Sequence, residues 1–453
     1  MLRVALLSPK GPLYRHRGGI FKKSLRYAPL TMTTLAALIP DDVEVELTLI
    51  DEGIEPIPEK LEADLVGMTV ITGTAPRAYE LSARFRERGM PVVLGGPHVT
   101  LVPEDAAPHA DSIVVGYAEE SWPELLRDRA AGRMRARYDQ RDGLDLAGTP
   151  APRRDLLPRG HYLTNSVFEA TRGCVHDCDF CVVPSAWGRR PLQKPVADVL
   201  ADVEAHLART GDRRLIFVDL NLIADRPYAR ALFRALAEVR VEWYGLATTL
   251  LADDADLLGL AEASGCRGLL IGFESIVPGN VASSNKAFNR PDGYARVVER
   301  LHAHGIAVYG CFVFGMDEDT PEVFEETARF TVEAGIDLPR FAIQTPFPGT
   351  PLFRRLNDEG RILTRNWELY DGQHVVFEPA RMSAQQLQEG TEHAWKSAYS
   401  VRSMWTRLRR SPAPLRVALA SNLGYRYYAH RLHRYYNCDW ILRGAGAETR
   451  RAG

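Results

Sequence analysis

The chain has 453 residues, 45% hydrophobic and 25% charged side chains and a formal net charge of −2, so it is globular in composition and long enough for two or three domains. The near-neutral balance excludes a polyelectrolyte whose default partner is nucleic acid. No run of about 18 apolar residues argues for a membrane-spanning helix, and six cysteines are too few for a secreted disulfide scaffold.

Met1–Leu7 runs straight into a strand and turn rather than a signal peptide, and a cytoplasmic protein is expected. Residues 1–145 alternate short apolar runs with helical patterns, the signature of a doubly wound, Rossmann-like α/β domain. The patterns predict strands over Val4–Leu7, Val43–Ile50, Leu65–Val70, Val92–Leu94 and Ile113–Val115, and helices over Leu30–Leu38, Ala75–Arg88 and from Ser121 onward. Ligands of such sheets lie beyond the carboxyl ends of the strands. The loops predicted there are Ser8–Gly19, Thr69–Thr74, Gly95–Thr100 and Gly116–Glu119, whose glycines let backbone approach a flat ligand. The segment Lys10–Arg26 carries six Lys or Arg and reads as a solvated loop or as an anion clamp.

Residues 146–165 are a turn-rich linker. Residues 166–375 alternate again, with strands predicted over Ser166–Ala170, Leu215–Val218, Trp243–Ala247, Gly268–Ile271, Ala307–Phe314 and Arg340–Gln344. About six such units make a partial (β/α)6, TIM-like barrel, and barrels place their chemistry at the C-terminal ends of strands. At the end of the first strand stands Gly173-Cys174-Val175-His176-Asp177-Cys178-Asp179-Phe180-Cys181. Cys174, Cys178 and Cys181, at C-x3-C-x2-C spacing, can hold three irons of a [4Fe–4S] cluster and leave the fourth iron open to a small molecule. The alternatives are a zinc site completed by His176 or a distant Cys, and a disulfide between two of the three. Cys266 and Cys311 lie in apolar, strand-like surroundings and read as packing residues. Glu274 follows an apolar strand, and a buried carboxylate there needs a partner.

The cysteine spacing resembles the radical S-adenosylmethionine (SAM) superfamily, in which the open iron chelates SAM and an electron cleaves it to a 5′-deoxyadenosyl radical. That resemblance implies that Asp219 and Asn221 meet the amine and carboxylate of SAM. It implies that Thr248, Thr249 and Glu274 approach its methionine or ribose, that Gly310 lets adenine lie against backbone, and that Phe180 packs on adenine and shields the cluster. Turn or packing roles are the alternative for these positions. The segments Gly67–Thr72, Val92–His98 and Val114–Glu119 resemble the cobalamin (B12)-binding domain that precedes many radical SAM domains. The contacts this implies are Thr69, Ile71, Thr72, Gly73, Gly95, Gly96, His98, Gly116 and Glu119, with His98 structural or a hydrogen-bond donor rather than a cobalt ligand. In place of the family's Asp-x-His-x-x-Gly the chain has Tyr14-Arg15-His16-Arg17-Gly18-Gly19, so Tyr14 stands where an Asp would orient the imidazole. Either His16 ligates cobalt or no protein side chain does, with Val70–Thr74 then facing the lower side of the corrin.

Thr345–Leu352, Glu359–Ile362, Trp367, Tyr370, His374 and Val376–Pro379 extend the resemblance, over roughly residues 1 to 390, to the subgroup containing hopanoid methylases and the anaerobic bacteriochlorophyll cyclase. It implies a cobalamin-dependent radical SAM enzyme carrying a [4Fe–4S] cluster, SAM and cobalamin. Its leading activity is methylation of an unactivated carbon of a natural product, lipid or pigment, by hydrogen abstraction and methyl transfer from methylcobalamin. One alternative keeps the cofactors but closes or rearranges a ring, or oxidises, without transferring methyl; another is a non-catalytic corrinoid- or metal-binding protein. The small-molecule substrate is expected between the two domains, near Tyr117, Trp187, Tyr370 and His374. An electron donor such as flavodoxin or ferredoxin is implied as partner.

Residues 376–453 read as a helical C-terminal region. Ser383–Trp395 is predicted as a helix opened by a Ser cap. Beyond Tyr399 the chain is basic and aromatic, from Arg402 and Trp405 to Tyr436 and Trp440. It reads as a helical cap with a solvated basic face, as a peripheral membrane contact, or as a surface for an anionic substrate or a protein. The tail from Gly444 reads as disordered.

Overall fold

The computed structural model describes residues 1–11, 27–158 and 160–432. The expectations for Tyr14, His16, most of the basic segment 10–26 and the tail from Gly444 lie outside these residues. The first sheet is built from β1 (Leu2–Ser8), β2 (Val45–Asp51), β3 (Leu65–Thr69), β4 (Val92–Gly95), β5 (Ser112–Val115) and β6 (Arg137–Asp139). All pairs are parallel, in the order β2-β1-β3-β4-β5-β6. The strands read as continuous apolar runs because helices cover both faces. Ala5 and Leu7 pack with Ala78, Leu81 and Phe85 of α2 (Ala75–Glu87), after α1 (Leu30–Ala37) has crossed the sheet. The alternate residues Val4 and Leu6 pack with Trp122, Leu125 and Leu126 of α3 (Ser121–Ala130). Strand β6 went unpredicted because Arg-Tyr-Asp offers no apolar run.

The second sheet begins with β7 (Val167–Phe168), followed by the hairpin β8 (Thr171–Arg172) and β9 (Leu192–Gln193). It continues with β10 (Arg214–Phe217), β11 (Glu242–Ala247), β12 (Cys266–Glu274), β13 (Ala307–Phe314) and β14 (Arg340–Ile343). Its order is β14-β13-β12-β11-β10-β7, again parallel, so among the described residues the barrel is open and six-stranded. The helices around it include α4 (Val182–Trp187), α5 (Val196–Thr210), α6 (Arg226–Val239), α7 (Ala255–Ala263), α8 (Tyr294–Ala303), α9 (Val323–Glu333) and α10 (Pro351–Asp358), besides the short helix Pro278–Ser283. On β11 and β13, buried residues alternate with partly exposed ones. Val308, Phe312 and Phe314 belong to the large core shared with the helices. The partly exposed Tyr309 faces Tyr244 of β11 across the sheet, their rings stacked at 6.5 Å.

The chain ends in α11 (Ala384–Ala398), α12 (Val401–Leu408) and α13 (Leu415–Ala429). Ser383 caps α11 in a reciprocal box: its hydroxyl accepts from Gln386 N, and Gln386 Oε1 accepts from Ser383 N at 2.8 Å. Trp395 of α11 is buried and donates to Phe341 O of β14 at 3.0 Å. Among the described residues no helix is long and apolar enough to cross a membrane.

Candidate active site

The cysteine loop leaves the second sheet beyond β7 and is held at both ends. The β8–β9 ladder closes it, pairing Thr171 with Gln193 and Arg172 with Leu192. Gly173 turns the chain with φ +82°, and a Cβ there would stand 3.2 Å from Arg190 O. Asp179 N donates to Ser284 O at 3.2 Å, and Asp179 O accepts from Leu352 N at 3.1 Å, so two later segments pin the loop. Cys178 is buried, Cys174 and Cys181 partly so. Burial pushes the Cys178 thiol up to about 12, against the pull of the Lys286 ammonium, while Cys181 and Cys174 raise it further. A zinc site asks its donors to converge on one ion, and among the described residues no group of three His, Cys, Asp or Glu does so.

Behind the loop lie buried ionic groups. Glu274 sits at the end of β12 with φ +65°, and Lys286 Nζ donates to its Oε1 at 2.5 Å. Burial opposes the Lys286 charge, but Glu274 more than restores it and its pKa lies above the usual value. Lys286 was not singled out from the sequence. Asn221 is 2% exposed; its Nδ2 reaches Cys174 Sγ at 3.8 Å, and its Oδ1 is buried with no partner. Thr248 Oγ1 and Asp179 Oδ1 are likewise buried and unpartnered.

Facing this loop are the strand ends of the first sheet. Gly96, at φ +105°, brings its Cα where a Cβ would meet Val70 N and O at 2.9 Å. Thr100 Oγ1 accepts from Gly116 N at 3.0 Å and donates to Gly96 O at 3.0 Å, joining two of the glycine loops. Ile71 stands 56% exposed at the tip of the third. Tyr117, beyond β5, stacks on Trp187 of α4 with ring centroids 5.2 Å apart and planes within 5°. Arg172, two residues before Cys174, forms an ion pair with Glu119 of the first sheet and donates to Glu169 at 2.7 Å. Glu119 Oε2 and Trp187 Nε1 remain buried and unpartnered. A cleft of about 260 Å³ opens here, walled mainly by the first sheet and α1, with Leu6, Met32, Gly96 and Gly116 among its lining, while the second unit contributes Glu169, Arg172 and Trp187.

Several expected site residues turn out to serve the fold. Asp219 is 1% exposed; its Oδ1 accepts from the Thr171 hydroxyl at 2.8 Å and also from Thr171 N, and Ala170 N donates to both oxygens. Asp219 thus positions the strand that launches the loop. Gly310 lies on the helix-facing side of β13, where a Cβ would stand 2.9 Å from Ile336 Cγ2 and 3.2 Å from Phe273 Cε2. Its small size admits Ile336, so adenine does not stack there. Thr249 Oγ1 is taken by Asn289 Oδ1 at 2.8 Å. Tyr370 is 1% exposed and donates to Thr364 O at 2.6 Å, and His374 is 5% exposed with Nδ1 3.0 Å from Asp371, so neither faces a substrate. His98 is fully buried, its Nε2 3.0 Å from Asp105 and 3.1 Å from Tyr79 and its Nδ1 3.4 Å from Thr72, which makes it a brace beneath the Gly95–Thr100 loop rather than a metal ligand. Thr72 and Gly73 are buried, whereas Thr69 is half-buried at the loop's base. Phe180 is half-buried, packed on the barrel core.

Residues 168–331 match the radical SAM superfamily model and residues 24–126 the B12 binding domain model. Bacteriochlorophyllide d C-12(1)-methyltransferase of Chlorobaculum tepidum is 31% identical over 392 residues, 85% of this chain and 85% of that one. The chain belongs to the cobalamin-dependent radical SAM family. The radical SAM fold is shared with the cobalamin-dependent enzyme OxsB, in a structure with aqua-cobalamin and S-adenosylmethionine bound, at a TM-score of 0.70 and 14% identity over 95% of this chain and 72% of that one. The anaerobic magnesium-protoporphyrin IX monomethyl ester cyclase of Cereibacter sphaeroides is less similar, 23% identical over 76% of this chain and 61% of its own. The radical SAM protein is therefore an enzyme, and the ordering of its relatives favours methyl transfer over ring closure. Its cofactors are a [4Fe–4S] cluster, SAM and cobalamin, and the residues present suit them. Three neighbouring thiols suit iron, unpartnered Asn221 and Thr248 oxygens suit the polar end of SAM, and a glycine-walled cradle tipped by an exposed Ile suits a flat macrocycle.

Proposed function

We propose that this enzyme methylates an unactivated carbon of an apolar small molecule held in the cleft between its two sheets. In this reading residues 1–145 hold cobalamin, 166–375 the cluster and SAM, joined by 146–165, and 376–453 form the C-terminal region, whose helices α11–α13 cap the barrel. The observation that carries it is the Tyr117–Trp187 stack, which joins a cobalamin-side loop to the helix that starts right after Cys181. When bound, the cluster with SAM supplies the hydrogen-abstracting radical, and cobalamin supplies the methyl group.

The chain's own residues orient and protect. Cys174, Cys178 and Cys181 hold iron, Asn221 and Thr248 meet the amino-acid end of SAM, and Glu274 reaches it with Lys286 balancing its charge. Gly96, Gly116, Ile71 and Thr69 shape the cobalamin cradle. Tyr117 and Trp187 wall the substrate, and Trp187 Nε1 donates to a substrate oxygen or nitrogen. Arg172, neutralised by Glu119 and Glu169, closes the floor and keeps the cleft dry. Electrons come from a low-potential ferredoxin or flavodoxin.

Bacteriochlorophyllide d, named for the relative, sets the first substrate to test, with polycyclic lipids next. Anaerobically reconstituted enzyme should release S-adenosylhomocysteine and 5′-deoxyadenosine together, with a product heavier by one CH2. Formation of 5′-deoxyadenosine alone, with an unmethylated product, would replace this reading with ring closure or oxidation.

A further inference from the structure

Helices α12 and α13 carry an apolar stripe that no described residue covers. On α13, Leu415, Leu419 and Leu423 recur every fourth residue, hence on one face, and are 61%, 41% and 50% exposed. On α12, Val401 and Trp405 are also four apart, at 65% and 54%. The opposite faces hold the pair to the protein: Met404, Arg407 and Leu408 of α12 and Ala418 and Asn422 of α13 are buried, and Arg407 Nη2 donates to Asn422 Oδ1 at 2.8 Å.

Charge around the stripe is one-sided. From His393 to Cys438 there is no Asp or Glu and there are nine Lys or Arg, in a chain whose net charge is −2. Arg402, Arg409 and Arg416 are exposed beside the stripe, and Arg409 lies over the Trp405 ring at 5.3 Å. Leu and Trp on one face, with long cationic side chains able to reach past them, is the composition of a helix lying at a bilayer interface.

The place of the hairpin in the fold agrees. Arg410 donates to Glu333 O at 2.6 Å, Tyr399 to Pro339 O at 2.8 Å and Asn422 to Asp337 O at 3.4 Å. All three anchors precede β14, at the end of the barrel opposite the cysteine loop. A surface bound there tethers the enzyme and leaves the cleft open.

We propose that α12 and α13 dock on an anionic lipid bilayer, with Leu415, Leu419, Leu423 and Trp405 below the headgroups and Arg402, Arg409 and Arg416 against the phosphates. This goes beyond the methylation reading and stands without it. Full-length holoenzyme should sediment with vesicles of phosphatidylcholine and phosphatidylglycerol at least tenfold more tightly than with phosphatidylcholine alone. Raising salt from ~0.05 to ~0.5 M should release it. Leu419→Ser with Leu423→Ser should weaken binding tenfold or more, with thermal unfolding and SAM cleavage unchanged, and Arg402→Ser with Arg409→Ser and Arg416→Ser should remove the preference for anionic lipid. Equal binding to both vesicles, or none, overturns the proposal. So does wild-type vesicle binding by the leucine variant. A dimer that this variant converts to monomer in sedimentation velocity assigns the stripe to a second copy instead. Vesicle binding that emerges only when residues 433–453 are deleted assigns it to the tail.

Discussion

The two parallel sheets build their halves of the site by opposite means. The first works through backbone: Gly96 and Gly116 clear space, Thr100 ties their loops together, and the hydrogen-bonded pair His98 and Asp105 sits beneath as a brace. The second works through buried side chains: three thiols, an ion pair at 2.5 Å and a fully engaged carboxylate. A broad macrocycle is recognised by shape, so removing atoms serves it. An iron–sulfur cluster and a charged sulfonium need polar side chains at fixed positions, so the second sheet accepts the desolvation cost of burying them.

The sharpest way to break this comparison is to delete one half. Replacing Cys174, Cys178 and Cys181 together with Ala should abolish iron binding, the cluster's visible absorbance and SAM cleavage. Cobalamin retention on gel filtration should persist, because the glycine cradle shares no residue with the cysteine loop. Loss of both cofactors in this variant would show that the halves are not built separately.

The ion pair gives the next largest effect. Lys286→Met leaves Glu274 buried and uncompensated, which costs about 3–5 kcal/mol. Urea unfolding of the cluster-free protein should show this loss for Lys286→Met. The double variant with Glu274→Met should recover most of it, since two apolar side chains of similar size need no partner. Equal losses for the single and double variants would mean that Lys286 acts through something other than Glu274.

How far the sequence reveals these halves follows from the range over which each signal acts. The cysteine spacing is local, and the strands betray themselves because both faces are buried; strand ends fell within two residues for β1, β10, β11, β13 and β14. Lys286 escaped because its partner lies across a turn and the short helix Pro278–Ser283, whose return path no pattern encodes. Gly310 misled because Val308, Phe312 and Phe314 on one face of β13 and Tyr309, Cys311 and Val313 on the other are all apolar, so alternation does not say which face meets the helices. Asp219 lies at the strand end where a ligand was expected, but backbone N–H groups two strands of sequence away had already claimed it. Arg172 was within reach of inference: an Arg two residues before the first cluster cysteine, in a chain whose other half ends a strand with Glu119, is a natural inter-sheet pair.

On the backbone side the effect is smaller. Gly96→Ala places a methyl 2.9 Å from Val70 N and O at a φ of +105°, a strain of about 1–3 kcal/mol. Cobalamin retention should fall while iron content and cluster absorbance stay at wild-type levels, the mirror image of the cysteine variant. Matching losses of iron and cobalamin would contradict the division between the sheets.

The smallest effect separates the sheets by pH. In the first, the hydrogen bond from His98, with a second from Tyr79, holds the Asp105 carboxyl down at about 2. Its native pKa lies below the unfolded value of about 3.9, so its stabilisation is complete above pH 4 and is lost as pH falls toward 2. The side chain is 36% exposed, and screening reduces the contribution to about 1 kcal/mol. Asp219 in the second sheet runs the other way. Burial, helped by Glu169, raises it to about 7, so its contribution is greatest below pH 4 and declines as pH rises from there toward 7. An acid-side loss traced to Asp105 therefore belongs to the first sheet. Thermal unfolding of Asp105→Asn should lie below wild type at pH 6 and converge with it near pH 2. A gap of constant size across that range would mean that Asp105 supports the loop by shape alone, leaving the brace beneath the glycine cradle without an electrostatic part.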